Sequence, residues 1–233
     1  MHMLKLFLTL IFIALIGCKI PQDPEGTLKR VQGGTMRVGV SDNEPWVIKG
    51  PNGEPSGVEV ELVRQFAKEL NAKVEWDWGS VEEHMEALKH YELDLVIGGI
   101  TEATPWKKEV GMTRPYFTSR IVVGVSPSAT LPQDIEGKKV IVPQSGAVAA
   151  YVKDAGGIPV RIKDPSQVNG LMAAPEWQLK RLGLTPSKIE LHQDKHVMAV
   201  PNGENAWVMR LEEFLHSHGS QITKRLKQQE TME

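Results

Sequence analysis

Short apolar runs alternate with amphipathic helical patterns from residue 36 onward, and this alternation favours an α/β fold. Residues 36–40, 74–78 and 93–97 have the character of strands. Two helices between them are predicted by apolar residues at spacings of three and four, namely Leu62, Val63, Phe66, Ala67 and Leu70, then Val81, Met85 and Leu88. Strands separated by such helices form right-handed βαβ units, so we expect a mostly parallel sheet.

A second unit of the same kind follows a long predicted strand at residues 121–125. Its predicted elements are strands at 138–142, 159–162 and 171–174 and a short helix at 147–154. A strand at 196–200 and a helix at 204–216 come last, and Gly219 is expected to end that helix.

The balance of charges excludes some classes of partner. The 233-residue chain has 27 basic and 29 acidic residues and a formal net charge of −2. Because the two signs are interspersed, the sequence predicts neither a nucleic-acid-binding surface nor a polybasic segment for a membrane surface.

The first residues predict export. Lys5 precedes an apolar run at residues 6–16, which ends in Gly17 and Cys18. This order is typical of a secretory signal peptide, and the run is short for a membrane span.

The last residues of this segment resemble a bacterial lipobox, and Cys18 is the single cysteine of the chain. Lipidation would remove a thiol that has no disulfide partner in an oxidising compartment.

We therefore expect residues 1–18 to be a lipoprotein signal peptide with Cys18 as the lipidated residue. A plain signal peptide or a membrane anchor is the alternative. Residues 19–35 carry proline and glycine among polar residues and are predicted to be a tether. The expected location is the cell envelope, on the periplasmic or extracellular face, with the protein held to the membrane through its lipid.

Four segments resemble family 3 of the bacterial extracellular solute-binding proteins, the group that includes polar amino acid receptors of ABC importers. They are residues 56–62, 93–101, 112–116 and 135–142. The resemblance implies a periplasmic-binding-protein type II fold with two lobes, each a mostly parallel sheet flanked by helices. It assigns residues 36–120 plus 200–233 to lobe 1, and 121–199 to the hinge strands and a smaller lobe 2. The strands that cross between the lobes are expected near 119–123 and 196–200.

The same resemblance implies that a ligand binds in a cleft between the lobes. The candidate residues are Trp46, Gly99, Ile100, Thr101 and Trp106 in lobe 1, and Ser145, Gly146 and Glu176 in lobe 2. Trp46, Trp106 and Trp177 would together form an aromatic box, which favours flat rings or cationic groups. The alternative interpretation is that these tryptophans are packing residues.

The sequence departs from the family at three positions of the implied site. The arginine that pairs with the ligand's α-carboxylate falls on Trp106, and the family's glycine–threonine pair becomes Gly146 and Ala147. The acidic residue for the ligand's ammonium group has no clear match, and Glu176 is the nearest candidate.

The function predicted from these features is capture of a small polar or amphipathic solute, amino-acid-like or cationic and aromatic, for the membrane subunits of an ABC importer. No catalysis or cofactor is expected, because no Ser/His/Asp order or phosphate-binding glycine loop stands out in the sequence. No metal is expected, since His192 and His196 precede a strand and lack a nearby third ligand. One alternative is a sensor or scaffold lipoprotein with a degenerate cleft. A second is an enzyme that resembles cyclohexadienyl dehydratases, in which Glu176 or Glu44 would act as the acid.

Overall fold

The computed structural model describes residues 23–127, 129–144, 146–163 and 170–229. Within these residues, two five-stranded sheets and a small hairpin are flanked by helices. The predicted α/β class with two lobes is confirmed. The predictions for Cys18 and Ser145 lie outside the described residues.

Lobe 1 contains a sheet whose central strand β1 (Thr35–Val40) pairs in parallel with β4 (Lys73–Trp78) and β5 (Leu95–Ile97). Strand β12 (Ala199–Val200) is antiparallel to β5 and to β6 (Gly111–Met112), which gives the order β4-β1-β5-β12-β6. The other elements of this lobe are α1 (Thr27–Val31), the hairpin β2 (Ile48–Lys49) and β3 (Pro55–Ser56), α2 (Val58–Glu69), α3 (Val81–Lys89), a 3-10 helix (Pro105–Lys108) and α6 (Asn205–Gln229).

The apolar spacings of the sequence explain how these helices cover the sheet. On one side α2 and α6 meet, and the Phe66 ring lies 5.4 Å from that of Trp207 and 5.1 Å from that of Phe214. On the other side α3 buries Met85 and Leu88. The spacing of Ser80 and Glu83 predicts a capping box at the start of α3, and the structure confirms both of its hydrogen bonds.

Lobe 2 is a sheet of strand order β11-β7-β10-β8-β9. These strands are β7 (Phe117–Val125), β8 (Lys139–Pro143), β9 (Ile158–Ile162), β10 (Leu171–Pro175) and β11 (Thr185–His196), accompanied by the helices α4 (Val148–Asp154) and α5 (Glu176–Arg181). Strand β8 is parallel to β9 and β10, and β7 is antiparallel to β10 and β11. The strands predicted at 138–142, 159–162 and 171–174 are confirmed to within one residue at each end. The strand predicted at 121–125 begins four residues earlier, and β11 was not predicted.

The antiparallel pair β7 and β11, hereafter the crossing ribbon, links the two sheets. Its register begins at Phe117 opposite His196. There it meets lobe 1, because the Tyr116 amide donates to the His196 carbonyl (3.0 Å) and the Val197 amide donates to the Ile100 carbonyl (2.9 Å). The predicted strand at 196–200 is therefore wrong as a single element, since β11 ends at His196 and β12 starts at Ala199.

Residues 23–31 are part of the folded structure, where the sequence predicted a tether. Helix α1 buries Val31 in the core of lobe 1. Arg30 reaches the fully buried carboxylate of Asp94, and Nη2 lies 2.5 Å from Oδ1. Five helical residues are too short to produce an apolar period that sequence analysis recognises.

The prediction that Gly219 ends the last helix is wrong, because α6 continues to Gln229. Ile222 and Leu226 are buried in the same core cluster as Leu215. Their burial outweighs the low helix propensity of one glycine, which is about 1 kcal/mol relative to alanine. The far end of α6 thereby reaches α5 of lobe 2.

Replacing this glycine tests the continuous helix. A Cβ at Gly219 meets nothing within 4 Å, so Gly219→Ala is expected to raise the free energy of unfolding by about 0.5–1 kcal/mol in urea titrations. Gly57→Ala is the contrasting variant and should lower it, because Gly57 has φ +114° and an added Cβ would lie 2.6 Å from the Trp46 carbonyl oxygen. Loss of stability in Gly219→Ala would contradict a helix through this position.

Candidate functional site

The loop that follows β5 is held by the side chain of Glu59 at the start of α2. The amides of Gly98 and Gly99 donate to Glu59 Oε2 at 2.8 and 2.9 Å, and the Tyr116 hydroxyl donates to Oε1 at 2.5 Å. The Glu59 side chain is 0% exposed. Burial raises the pKa of this carboxyl, while its three hydrogen bonds act in the opposite direction.

Glu59 and Glu61 lie two residues apart on α2 and have different partners. Glu59 holds the loop after β5, and Glu61 forms a surface ion pair with Arg64 at 2.7 Å. The alternation of the two carboxylates in the sequence does not reveal this difference, because they lie on one helix and their partners are set by the tertiary structure.

Trp46 packs against this loop and against the crossing ribbon. Its side chain is 4% exposed, and its ring centroid lies 4.0 Å from that of His196 and 5.8 Å from that of Phe117. A Cβ at Gly99 would overlap Cδ1 of Trp46, and Gly99 has φ +70°. Both constraints require glycine at position 99.

His196 and Ser119 connect the two strands of the crossing ribbon. Ser119 Oγ lies 2.8 Å from His196 Nε2, and both residues are buried. Burial lowers the pKa of His196 to about 4, with a smaller opposing effect of the Gly99 backbone, so the imidazole is neutral at pH 7. Among the described residues, Nδ1 of this ring has no hydrogen-bond partner.

The three tryptophans of the predicted aromatic box have different neighbours. Trp106 is half-buried on the 3-10 helix and packs in the apolar cluster of Ile100 and Val110. Trp177 lies beneath the Arg181 guanidinium, whose Cζ is 5.9 Å from the centroid of the Trp177 ring. The ring contacts of the described residues join Trp46 to Tyr116, Phe117 and His196, and to neither of the other two tryptophans.

The two lobe 2 candidates that the structure describes, Gly146 and Glu176, come just after the ends of neighbouring strands, because β8 and β10 pair in parallel. Gly146 is exposed, with φ +88°, just before α4. Glu176 begins α5 and forms ion pairs with Arg120 (3.2 Å) and Lys180 (3.1 Å). It lines a cavity of about 170 Å³ together with Arg120, Trp177 and Thr223 of α6. The structure thus brings together Trp46 with the loop of Gly99, Ile100 and Thr101, and sets Glu176 beside the end of α6.

Sequence analysis missed an ion pair between the lobes. Arg181 Nη1 of α5 lies 2.5 Å from Glu44 Oε1, in the loop that follows β1. No local signal could find it, because the two residues are 137 positions apart. His192 and His196 also have separate environments, since His192 stacks on Tyr151 at 4.1 Å whereas His196 contacts Ser119.

Comparison with known proteins then identifies the family. The family model described as bacterial extracellular solute-binding proteins, family 3, matches residues 36–229. The chain belongs to this family. The predicted resemblance is confirmed, and the two sheets correspond to the two lobes of such solute-binding proteins.

Curated relatives of this solute-binding protein share part of its length. It is 32% identical over 114 residues to the membrane-bound lytic murein transglycosylase F of Vibrio cholerae, covering 48% of this chain and 21% of that protein. It is 30% identical over 122 residues to the L-cystine-binding protein TcyJ of Escherichia coli K12, covering 50% of this chain and 46% of that protein. The matched part therefore spans less than half of either relative.

A solved structure extends the likeness to both lobes. The ancestral cationic amino acid solute binding protein superposes with a TM-score of 0.75 at 19% identity, covering 88% of this chain and 99% of that one. At this identity the likeness shows the fold alone. In the part of the chain that the structure describes, no helix has the length and apolarity needed to span a membrane.

Truncating Glu59 tests its role in holding the loop after β5. Glu59→Ala leaves three buried donors without an acceptor and is expected to lower the free energy of unfolding by about 3 kcal/mol or more. Glu59→Gln retains an acceptor for the two amides and should lower it less. Urea unfolding followed by circular dichroism measures both.

The matched control is Glu61→Ala on the same helix, which removes only a surface ion pair and should change the free energy of unfolding by about 0.5 kcal/mol or less. Equal effects of Glu59→Ala and Glu61→Ala would mean that the buried network does not hold the loop.

Proposed function

We propose that the protein is an extracytoplasmic amino acid receptor that captures its ligand between the two lobes and delivers it to an ABC importer. The observation that carries this proposal is that the loop of Gly99 meets lobe 2 at the crossing ribbon, in a chain that belongs to this family. Two relatives support the class of ligand, since their names describe an L-cystine-binding protein and a cationic amino acid solute binding protein.

The proposed ligand-binding residues are those given by the sequence, which are Trp46, Gly99, Ile100, Thr101, Trp106, Ser145, Gly146 and Glu176. Hydrogen bonds that are already formed limit how the loop of Gly99 would contact a ligand. The Gly98 and Gly99 amides already donate to Glu59, so this loop would contact the ligand through its remaining groups and through the Thr101 side chain.

Arg181 is a candidate for the carboxylate of the ligand, since Trp106 occupies the position of the family's arginine. Its guanidinium lies at the edge of lobe 2 that faces lobe 1 and is held over the Trp177 ring. A planar guanidinium suits bidentate pairing with a carboxylate. Its present partner, Glu44, is half-exposed, so a ligand could replace this pair at little cost in free energy.

The pair of Glu44 and Arg181 also supports closure of the lobes around a ligand. A hinge motion at the crossing ribbon would separate or join these two side chains while each sheet stays rigid. Such closure would bury the ligand and change the surface that an importer contacts.

Binding is tested with the chain from Lys19 onward. We expect one of the proteinogenic amino acids or L-cystine to raise the melting temperature, because ligand at about 100 times its dissociation constant stabilises a single site by roughly 2.7 kcal/mol. The same ligand should decrease the radius of gyration in small-angle X-ray scattering. A cooperative melting transition that no amino acid shifts would instead favour a sensor or scaffold with a degenerate cleft.

We also propose that Cys18 is lipidated and anchors the protein in the cell envelope. The support is the apolar run and lipobox-like end of residues 1–18. In a bacterial host the full chain should incorporate labelled palmitate and fractionate with membranes. Cys18→Ser should lose the label, and the matched variant Lys19→Ser should retain it. Labelling of Cys18→Ser would refute the assignment.

A further inference from the structure

One face of the crossing ribbon carries polar side chains beside the loop of Gly99, which follows β5. Directly opposite residues of an antiparallel pair lie on the same face. The register pairs Asp194 with Ser119 and His196 with Phe117, so Asp194 and His196 share a face. His196 is covered by Trp46 of lobe 1 and forms an isolated bridge with Thr101. Asp194 is the next residue along this face in the direction of lobe 2.

Asp194 is a partly buried carboxylate without a strong cationic partner. Its side chain is 26% exposed, and the neighbouring ionisable side chain is His192, whose Nε2 lies 3.6 Å from Asp194 Oδ1. Burial raises the pKa of this carboxyl, and His192 acts in the opposite direction. In the described part of the chain, no Lys or Arg forms an ion pair with Asp194. By contrast, Glu44 and Glu176 have arginine partners.

An aromatic surface adjoins this carboxylate. The rings of His192 and Tyr151 are stacked, with centroids 4.1 Å apart and an interplanar angle of 20°. Tyr151 belongs to α4, the helix that follows Gly146, one of the proposed ligand residues of lobe 2. The carboxylate adjoins this stack through His192, and burial and then the charge of Asp194 raise the pKa of the Tyr151 hydroxyl.

A desolvated carboxylate beside an aromatic ring matches the chemistry of a substituted ammonium ion. The carboxylate supplies a charge-assisted hydrogen bond, and the ring supplies an apolar and cation-attracting face. A ligand ammonium group would also provide the cation that Asp194 lacks and so offset its burial.

We propose that Asp194 binds the ammonium group of the ligand, with Tyr151 and His192 as the adjoining wall of the cleft. This inference rests on the proposed function as an amino acid receptor. The ammonium group would then be recognised at the crossing ribbon. The start of α5, where Glu176 pairs with Arg120, would not have this role.

The test is isothermal titration calorimetry of the chain from Lys19 onward. The ligands are L-cystine, L-arginine and the other proteinogenic amino acids, each compared with its N-acetyl derivative, in which the ammonium group is absent. Asp194→Asn is expected to weaken binding of the free amino acid by about 10- to 100-fold and to leave the weak binding of the N-acetyl derivative unchanged. Circular dichroism and the melting temperature establish that the variant is folded.

Glu190→Gln is the matched control. It removes the same charge from the same strand, but Glu190 is exposed and pairs with Arg120 at 2.6 Å. This variant should bind like the wild type. The inference is overturned if Asp194→Asn binds the free amino acid as tightly as the wild type, or if it loses affinity for the free and acetylated forms equally. If the wild type binds no amino acid, the proposed function falls and this assignment falls with it.

Discussion

The buried carboxylate of Glu59 is the interaction on which the rest of the candidate site depends. It joins the start of α2, the loop after β5 and Tyr116, which immediately precedes the crossing ribbon. A fully buried carboxylate is costly unless its oxygens accept hydrogen bonds, and here two amides and one hydroxyl donate to them. The same bonds therefore satisfy the charge and fix the loop against Trp46 and the ribbon.

This arrangement has a chemical consequence for the ligand. Successive amides at a glycine turn can bind an anion, but here Glu59 occupies those of Gly98 and Gly99. The sequence predicts that Trp106 takes the place of the family's arginine, and we propose that recognition shifts to side chains of lobe 2 and the ribbon. We propose Arg181 and Asp194 as the cation and the anion of this changed mode of binding.

The crossing ribbon acts as both a hinge and a wall in this interpretation. Its two faces have different chemistry, since Asp194 and His196 lie on one and Glu190 with Arg120 on the other. The far end of α6 contacts α5 beside the second face. The long helix thereby couples lobe 1 to lobe 2 at a place where the sequence predicted that the helix had ended.

The sequence by itself determined the α/β class, most of the longer strands and the family, because apolar periods and short motifs are local properties. It missed the long strand β11 and the two-residue strands β2, β3 and β6. It failed for α1, which is too short for a period, and at Gly219, where burial of Ile222 and Leu226 outweighs propensity. Only the tertiary structure decided which polar side chains meet. Ser119 and His196 are 77 positions apart, and Glu44 and Arg181 are 137 apart. Such pairs form because the fold brings distant strands and loops together, and no local spacing encodes them.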